Sequence, residues 1–328
     1  MSETEFEGIV ESPWSGGASP FAINSKKLGM WLFIISDSLT FSALLVSYAY
    51  VRLETPDWPR PFEIWPAIAK SSLMTLVLLS SSLTMVLGVN AAFQGDRKKT
   101  VRYLIATIIC GIAFVLIHAT EWVTLFGEGV SPWSNPWKPF VPLFGGTFFG
   151  LTGLHMLHVT IGVLYLAIMA WGFGKGKYTA EHVEVSGLYW HFVDLVWMFI
   201  FPMVYLLSVN PKLPGEHCPM SAHGHAELTH EHSVGTTKLF TTVWVWLLLL
   251  TALEVFLAYE RLEVHLMITI LVGLSLIKAA LIMSYFMHLR FERLGLFLLL
   301  VPAMVFCICM MLIMFFPDSI RLMDLRPH

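Results

Sequence analysis

Residues 187–209 read GLYWHFVDLVWMFIFPMVYLLSV, twenty-three positions that hold one acid, Asp194, and one histidine, His191. A helix needs about 20 mostly apolar residues to cover the hydrocarbon core of a bilayer. This stretch is long enough to do so and too long for an ordinary strand, so it predicts a transmembrane helix. His191 and Asp194 are three apart and therefore share a face. Ionisable groups are costly in lipid, so that face is expected to turn towards protein.

The same pattern recurs in both directions along the chain. Before it come apolar runs at about Leu28–Val51, Ser72–Phe93, Val101–Phe126 and Phe144–Phe173; after it come Leu239–Tyr259, Val264–Met287 and Leu294–Phe316. The expected fold is all-α: a polytopic membrane protein with about eight transmembrane helices, arranged as a five-helix bundle and a three-helix module. The expected division is a polar N-terminal segment (1–25), the five-helix domain (26–209), a His-rich linker (210–238), the three-helix domain (239–317) and a tail (318–328). Composition agrees, since 56% of the 328 residues are hydrophobic and 13% are charged, with mean hydropathy +0.69. A soluble globule is about a quarter charged.

The formal net charge of −3, with no long basic run, gives no reason to expect a nucleic-acid partner. Cys307 and Cys309 lie inside an apolar run, which points to neither a disulfide framework nor a zinc pair. Glu3, Glu5, Glu7 and Glu11 make the start of the chain the reverse of a basic signal peptide. Trp58, Trp65, Trp133 and Trp137 lie among prolines just outside spans, as interfacial anchors do. Arg97, Lys98 and Lys99 form the densest basic cluster and are expected on the cytoplasmic side, which places the N-terminus there too. Gly146 and Gly150, four apart, predict a close helix–helix approach.

Ionisable residues inside the spans are the functional candidates: Asp37, His118, Glu121, His155, His158, His191 and Asp194. A rise of 1.5 Å per residue puts Asp37 near mid-membrane, His118, Glu121 and His155 in the outer half, and His191 with Asp194 in the inner third. Two buried polar clusters at different depths are expected. Glu254 and Lys278 are a candidate ion pair, but counting from the connection between their helices separates them by about 12 Å in depth. Separate partners in other subunits are the simpler expectation for them. In the linker, His223, His225, His230 and His232, with His217 and Cys218, are weak metal-ligand candidates. Its prolines and glycines favour a plain tether.

Several of these strings resemble haem–copper oxidase subunit III in its five-helix form. Residues 29–37 (GMWLFIISD) resemble that family's first helix with its buried acid, and 153–162 (GLHMLHVTIG) resemble its histidine-pair helix. Residues 189–197 (YWHFVDLVW) are the closest match, while Gly95–Lys98 and Thr120-Glu121 agree in order and spacing. The family usually has glutamate where this chain has Asp37, so the carboxylate is kept on a side chain one methylene shorter. Lys278-Ala279-Ala280 and residues 285–292 (YFMHLRFE) resemble the small three-helix subunit IV of bacterial oxidases.

The resemblance implies a non-catalytic membrane subunit of a proton-pumping terminal oxidase in the bacterial inner membrane. It implies haem and copper in partner chains (subunits I and II) and no redox cofactor here. It further implies bound phospholipid, support of proton uptake through Asp37 with reactivity of that acid towards carbodiimide, and stabilisation of subunit I. The electron donor, cytochrome c or quinol, and association with another respiratory complex stay open.

Orientation brings a conflict. Five spans starting inside leave the linker outside, and with it the turn around His288, Arg290 and Arg293; the separate subunit IV has that turn inside. Three other functions remain as alternatives: a haem-bearing membrane cytochrome with His118 and His155 as axial pair, a di-metal enzyme using His155-x-x-His158, and a transporter.

Overall fold

The computed structural model describes residues 25–55, 58–62, 67–134, 136, 143–208, 237–259 and 264–287. The linker histidines His223, His225, His230 and His232, the expected span at 294–316 and the turn at His288 lie outside these residues. The described chain is helical throughout its long elements: α1 (Ser25–Glu54), α2 (Ala69–Phe93), α3 (Arg97–Gly127), α4 (Leu143–Gly174), α5 (Ala180–Ile200), α6 (Thr237–Tyr259) and α7 (Val264–Leu281). Seven helices among the described residues are long and apolar enough to cross a membrane.

The chain falls into two compact units, residues 1–43 with 289–328, and residues 44–288. In the first, the described part is the start of α1. Trp31, Ile34 and Phe41 are buried there, and Asp37, half-buried, lies on the Ile34–Phe41 face by helical spacing. In the second, α2 packs against α3, α5 and α6, α4 packs against α3 and α5, and α7 packs against α5 and α6. The helices expected as a separate C-terminal module thus share a packed unit with α2 and α5.

Local chemistry sets the helix ends. Gly95 takes φ 78°, a left-handed turn residue closing α2. Asp96 then caps α3, accepting from the Lys99 backbone N–H at 3.1 Å and pairing with Lys99 Nζ at 2.9 Å. The Lys99 bonds hold the Asp96 carboxyl below the usual carboxylate range.

At the far end of α5, Pro202 removes a backbone donor, and the chain answers with a wide turn in which Leu206 N–H reaches the Phe201 carbonyl. That widened turn carries Phe201–Tyr205 and leads into Leu206–Ser208. Tyr48 and Arg52, late in α1, close this end: Tyr48 Oη lies 3.1 Å from Ser208 Oγ, Arg52 donates to the same hydroxyl at 2.9 Å, and Arg52 also donates to the Leu207 carbonyl.

Two expectations change. Gly146 and Gly150 are exposed, and nothing lies within 4 Å of a Cβ placed on Gly150. The close approach is made by Gly145 instead, because the turn of α4 that faces the loop at Ser131 is offset by one position from the small-residue pair. Asp194 also sits deeper than the inner third. The fifth helix begins at Ala180, not Gly187, after Thr179, whose hydroxyl pairs with His182 at 2.8 Å. Asp194 is therefore at the midpoint of the span Ala180–Ser208.

Ring contacts give the direction of α6 relative to α5. The Phe286 ring lies 5.7 Å from the His191 ring and 6.5 Å from Phe240, so the start of α6 is level with the middle of α5. The end of the fifth span is about 24 Å further on, and it too is packed against α6. Helices α5 and α6 therefore run parallel.

Candidate functional site

Two buried polar groups lie inside the larger unit, and tryptophans of α5 connect them. In the first, His118 and Glu121 stand one turn apart on α3 and both are buried. Tyr205, in the widened turn, donates to Glu121 Oε2 at 2.9 Å, and its Oη is 3.5 Å from His118 Nε2. His155 of α4 donates from Nε2 to the Val193 carbonyl at 3.1 Å. Trp197 fills the space between these groups. Its ring lies 5.1 Å from His155, 5.7 Å from His118 and 4.9 Å from Phe114, and its Nε1 donates to Thr75 at 2.9 Å.

The second group surrounds Asp194. Ser82 of α2 donates to Asp194 Oδ2 at 2.7 Å, and His191 Nδ1 lies 3.1 Å from the same serine oxygen. One residue earlier on each helix, Trp190 Nε1 donates to Ser81 at 2.9 Å. Glu254 and Lys278 lie in the same unit, both without exposed surface, with Nζ 2.5 Å from Oε2. The depth count placed them apart, but a lysine stem of four methylenes and a glutamate of two close a gap that backbone rise alone leaves open. His158 is half-buried on the flank of α4, where its Nδ1 donates to the Leu154 carbonyl at 2.8 Å.

The structure brings together His118 with Glu121, and His191 with Asp194. It places His155 beside the first group through Trp197 and leaves His158 on the edge. Asp37 belongs to the other unit. Sequence reasoning passed over Ser81, Ser82, Thr75 and Tyr205, although Ser80-Ser81-Ser82 inside an apolar span was a readable signal, since hydroxyls in hydrocarbon seek partners.

The rival chemistries can be tested on this geometry. A haem between His118 and His155 needs both rings to face one open slot. Trp197 and Phe114 occupy that slot, Phe114 lying 5.5 Å from His118 and 5.6 Å from His155. The residues present do not fit an axial pair. No group of three or more metal-ligating side chains is found among the described residues, so the described part of the His155-x-x-His158 helix lacks the further donors that a di-metal centre requires.

The Tyr205 hydroxyl is the testable element of the first group. Tyr205→Phe should lower stability by about 1–3 kcal/mol, because Glu121 then loses a buried donor. The shift is read from thermal unfolding in detergent, and Glu121→Leu added to Tyr205→Phe should recover much of it. A neutral single variant would show that the bond contributes nothing.

Comparison with known proteins places this architecture. Residues 6–209 match the family described as Cytochrome c oxidase subunit III, and residues 241–313 match that described as Prokaryotic Cytochrome C oxidase subunit IV. Cytochrome c oxidase subunit 3 of Bos taurus is 33% identical over 207 residues, 60% of this chain and 75% of the bovine protein. Cytochrome bo(3) ubiquinol oxidase subunit 3 of Pseudomonas putida is 31% identical over 185 residues, 56% of this chain and 86% of that protein. Cytochrome c oxidase subunit 3 of Alkalihalophilus pseudofirmus is 31% identical over 192 residues, 57% of this chain and 88% of that protein.

Proposed function

The chain belongs to the cytochrome c oxidase subunit III family, and from that premise we propose that it is the non-catalytic III–IV subunit of a proton-pumping terminal oxidase. It is a multi-pass bacterial membrane protein and a subunit III of a respiratory oxidoreductase, joined in one chain to a subunit IV-like segment. Its partners are a subunit I holding haem and copper and a subunit II; its role is to stabilise subunit I and to support proton uptake. The observation that carries this reading is the family match across all five N-terminal helices, with Asp37, His118, Glu121, His155, His158, His191 and Asp194 inside the matched range.

Packing supports a subunit rather than an enzyme. The buried polar residues are engaged with hydroxyls, carbonyls and aromatic rings of their own chain, as structural groups in lipid must be. The outward faces of α3 and α4 expose Leu116, Val123, Leu164 and Ile168, a surface for phospholipid tails or a neighbouring helix bundle. The cluster Arg97, Lys98 and Lys99 supports a cytoplasmic N-terminus.

Affinity purification through a tag on this chain should recover a haem- and copper-containing subunit, identified by optical spectrum and peptide mapping. Deletion of the chain should shorten the working life of the oxidase. Recovery of the chain alone, with unchanged oxidase activity and durability after deletion, would reject this function. For Asp37, a hydrophobic carbodiimide should label the complex, and Asp37→Asn should abolish the label. A label mapping to Glu254, or none, would remove Asp37 from the proton-uptake role.

A further inference from the structure

Three cations converge on the turn that ends α4. Lys175 Nζ lies 4.0 Å from the centre of the Trp171 ring, and Lys177 Nζ lies 5.6 Å from it. Gly176, between the two lysines, takes φ 76°, and a Cβ there would lie 3.1 and 3.2 Å from the two terminal guanidinium nitrogens of Arg97. The missing side chain is what lets the start of α3 bring its arginine onto this turn. All three cations are exposed, and among the described residues no carboxylate pairs with any of them. Asp96, beside Arg97 in the chain, is taken by Lys99 at 2.9 Å. The carbonyls that end α4 do not hold the lysines either, because those of Trp171, Phe173 and Gly172 accept from the backbone N–H groups of Lys175, Gly176 and Lys177. Like charges gathered without a counter-charge repel one another. The arrangement therefore suits an anion from outside the chain.

The surroundings of the turn say which anion. Trp171 is exposed three residues before the end of the span Leu143–Gly174, the depth at which an indole meets lipid headgroups. Behind it Leu157, Ile161, Leu164 and Ile168 are also exposed, at alternating spacings of four and three that keep them on one face of α4. This apolar line runs about 21 Å from Leu157 to Trp171, comparable with an extended acyl chain, and ends at the three cations. We propose that the turn binds the headgroup phosphate of an anionic phospholipid: Arg97, Lys175 and Lys177 neutralise the phosphate, Trp171 stands beside the glycerol, and the line from Leu157 to Ile168 takes an acyl chain. The Arg97 guanidinium supplies the paired donors that a phosphate accepts. A free phosphate gains the charges but leaves the apolar line unused, and so does an acidic protein segment. A zwitterionic lipid brings a cation of its own and gains less from the three.

The test uses the full chain purified in mild detergent and titrated with phosphatidylglycerol or phosphatidylcholine brominated on the acyl chains, since bromine quenches tryptophan on contact. The part of the quenching that disappears in Trp171→Phe reports this site. Phosphatidylglycerol should quench that part at a mole fraction at least about tenfold lower than phosphatidylcholine, and added salt should narrow the difference. Arg97→Gln, Lys175→Gln and Lys177→Gln should each weaken phosphatidylglycerol by up to about fivefold, and the triple variant should be quenched alike by both lipids. Gly176→Asn keeps every charge and tolerates the left-handed turn but puts a side chain where the guanidinium lies, so its effect should match that of Arg97→Gln. Equal quenching of the wild type by the two lipids would overturn the proposal, as would an unchanged preference in the triple variant. Displacement of the lipid by inorganic phosphate at constant ionic strength would assign the cations to a soluble anion, and tighter binding of polyglutamate would assign them to an acidic protein; either rejects the lipid site. If Trp171→Phe does not accumulate, the phosphatidylglycerol retained per chain after washing decides: less in the triple variant than in the wild type supports the site, and equal amounts reject it. Oxidase activity does not enter this readout, so its outcome is separate from that of the proposed function.

Discussion

Trp197→Ala should destabilise the protein by about 3–5 kcal/mol, the range for removing a large buried aromatic side chain. Trp197 has no exposed surface and is the common neighbour of Phe114, His118, His155 and Tyr205. Its removal opens a cavity among helices α2, α3, α4 and α5 at once. It also leaves Thr75 without the indole donor held at 2.9 Å. Trp197→Phe keeps most of the volume and loses that bond, so its loss should be smaller, about 1–3 kcal/mol. Unfolding by a graded denaturing detergent, followed by tryptophan fluorescence and circular dichroism, measures both. Equal stability of the alanine variant and the wild type would mean that this aromatic centre does not hold the helices.

Gly145→Ala should come next in effect, at about 3 kcal/mol or more. A Cβ at position 145 would lie 2.0 Å from the Ser131 carbonyl oxygen and 3.1 Å from its carbon. Both are backbone atoms and cannot swing aside as a side chain can. Either α4 or the turn after α3 must move, and Phe144 and Phe148, stacked at 5.7 Å and buried, move with α4. Gly150→Ala on the same helix is the control, because nothing lies within 4 Å of a Cβ there. It should be neutral or slightly stabilising, since alanine is the better helix former. The same unfolding assay compares them, and a difference near zero would remove the close approach at Gly145.

These two cases show where reading the chain stops. The Gly146–Gly150 spacing is a recognised packing pattern, yet the approach falls on Gly145. Spacing reports which residues share a face; it does not report which face meets a neighbour. Asp194 and His191 were legible as a pair because the helical period is a local property. Their partner Ser82 was not, because it comes from α2, more than a hundred residues away. Tyr205 was hidden for another reason: Pro202 widens the turn before it, and that change in register turns its hydroxyl towards Glu121.

The amino-acid sequence by itself determined that this protein crosses the membrane as a bundle of helices, since hydrocarbon leaves backbone groups no other way to be satisfied. It also determined which ionisable residues enter that bundle, because length and composition place them within spans. The tertiary structure decided how they combine. Glu254 meets Lys278 through the reach of two flexible side chains, Trp197 separates His118 from His155, and α6 runs parallel to α5. Each of these depends on distances between helices that no period along one chain encodes.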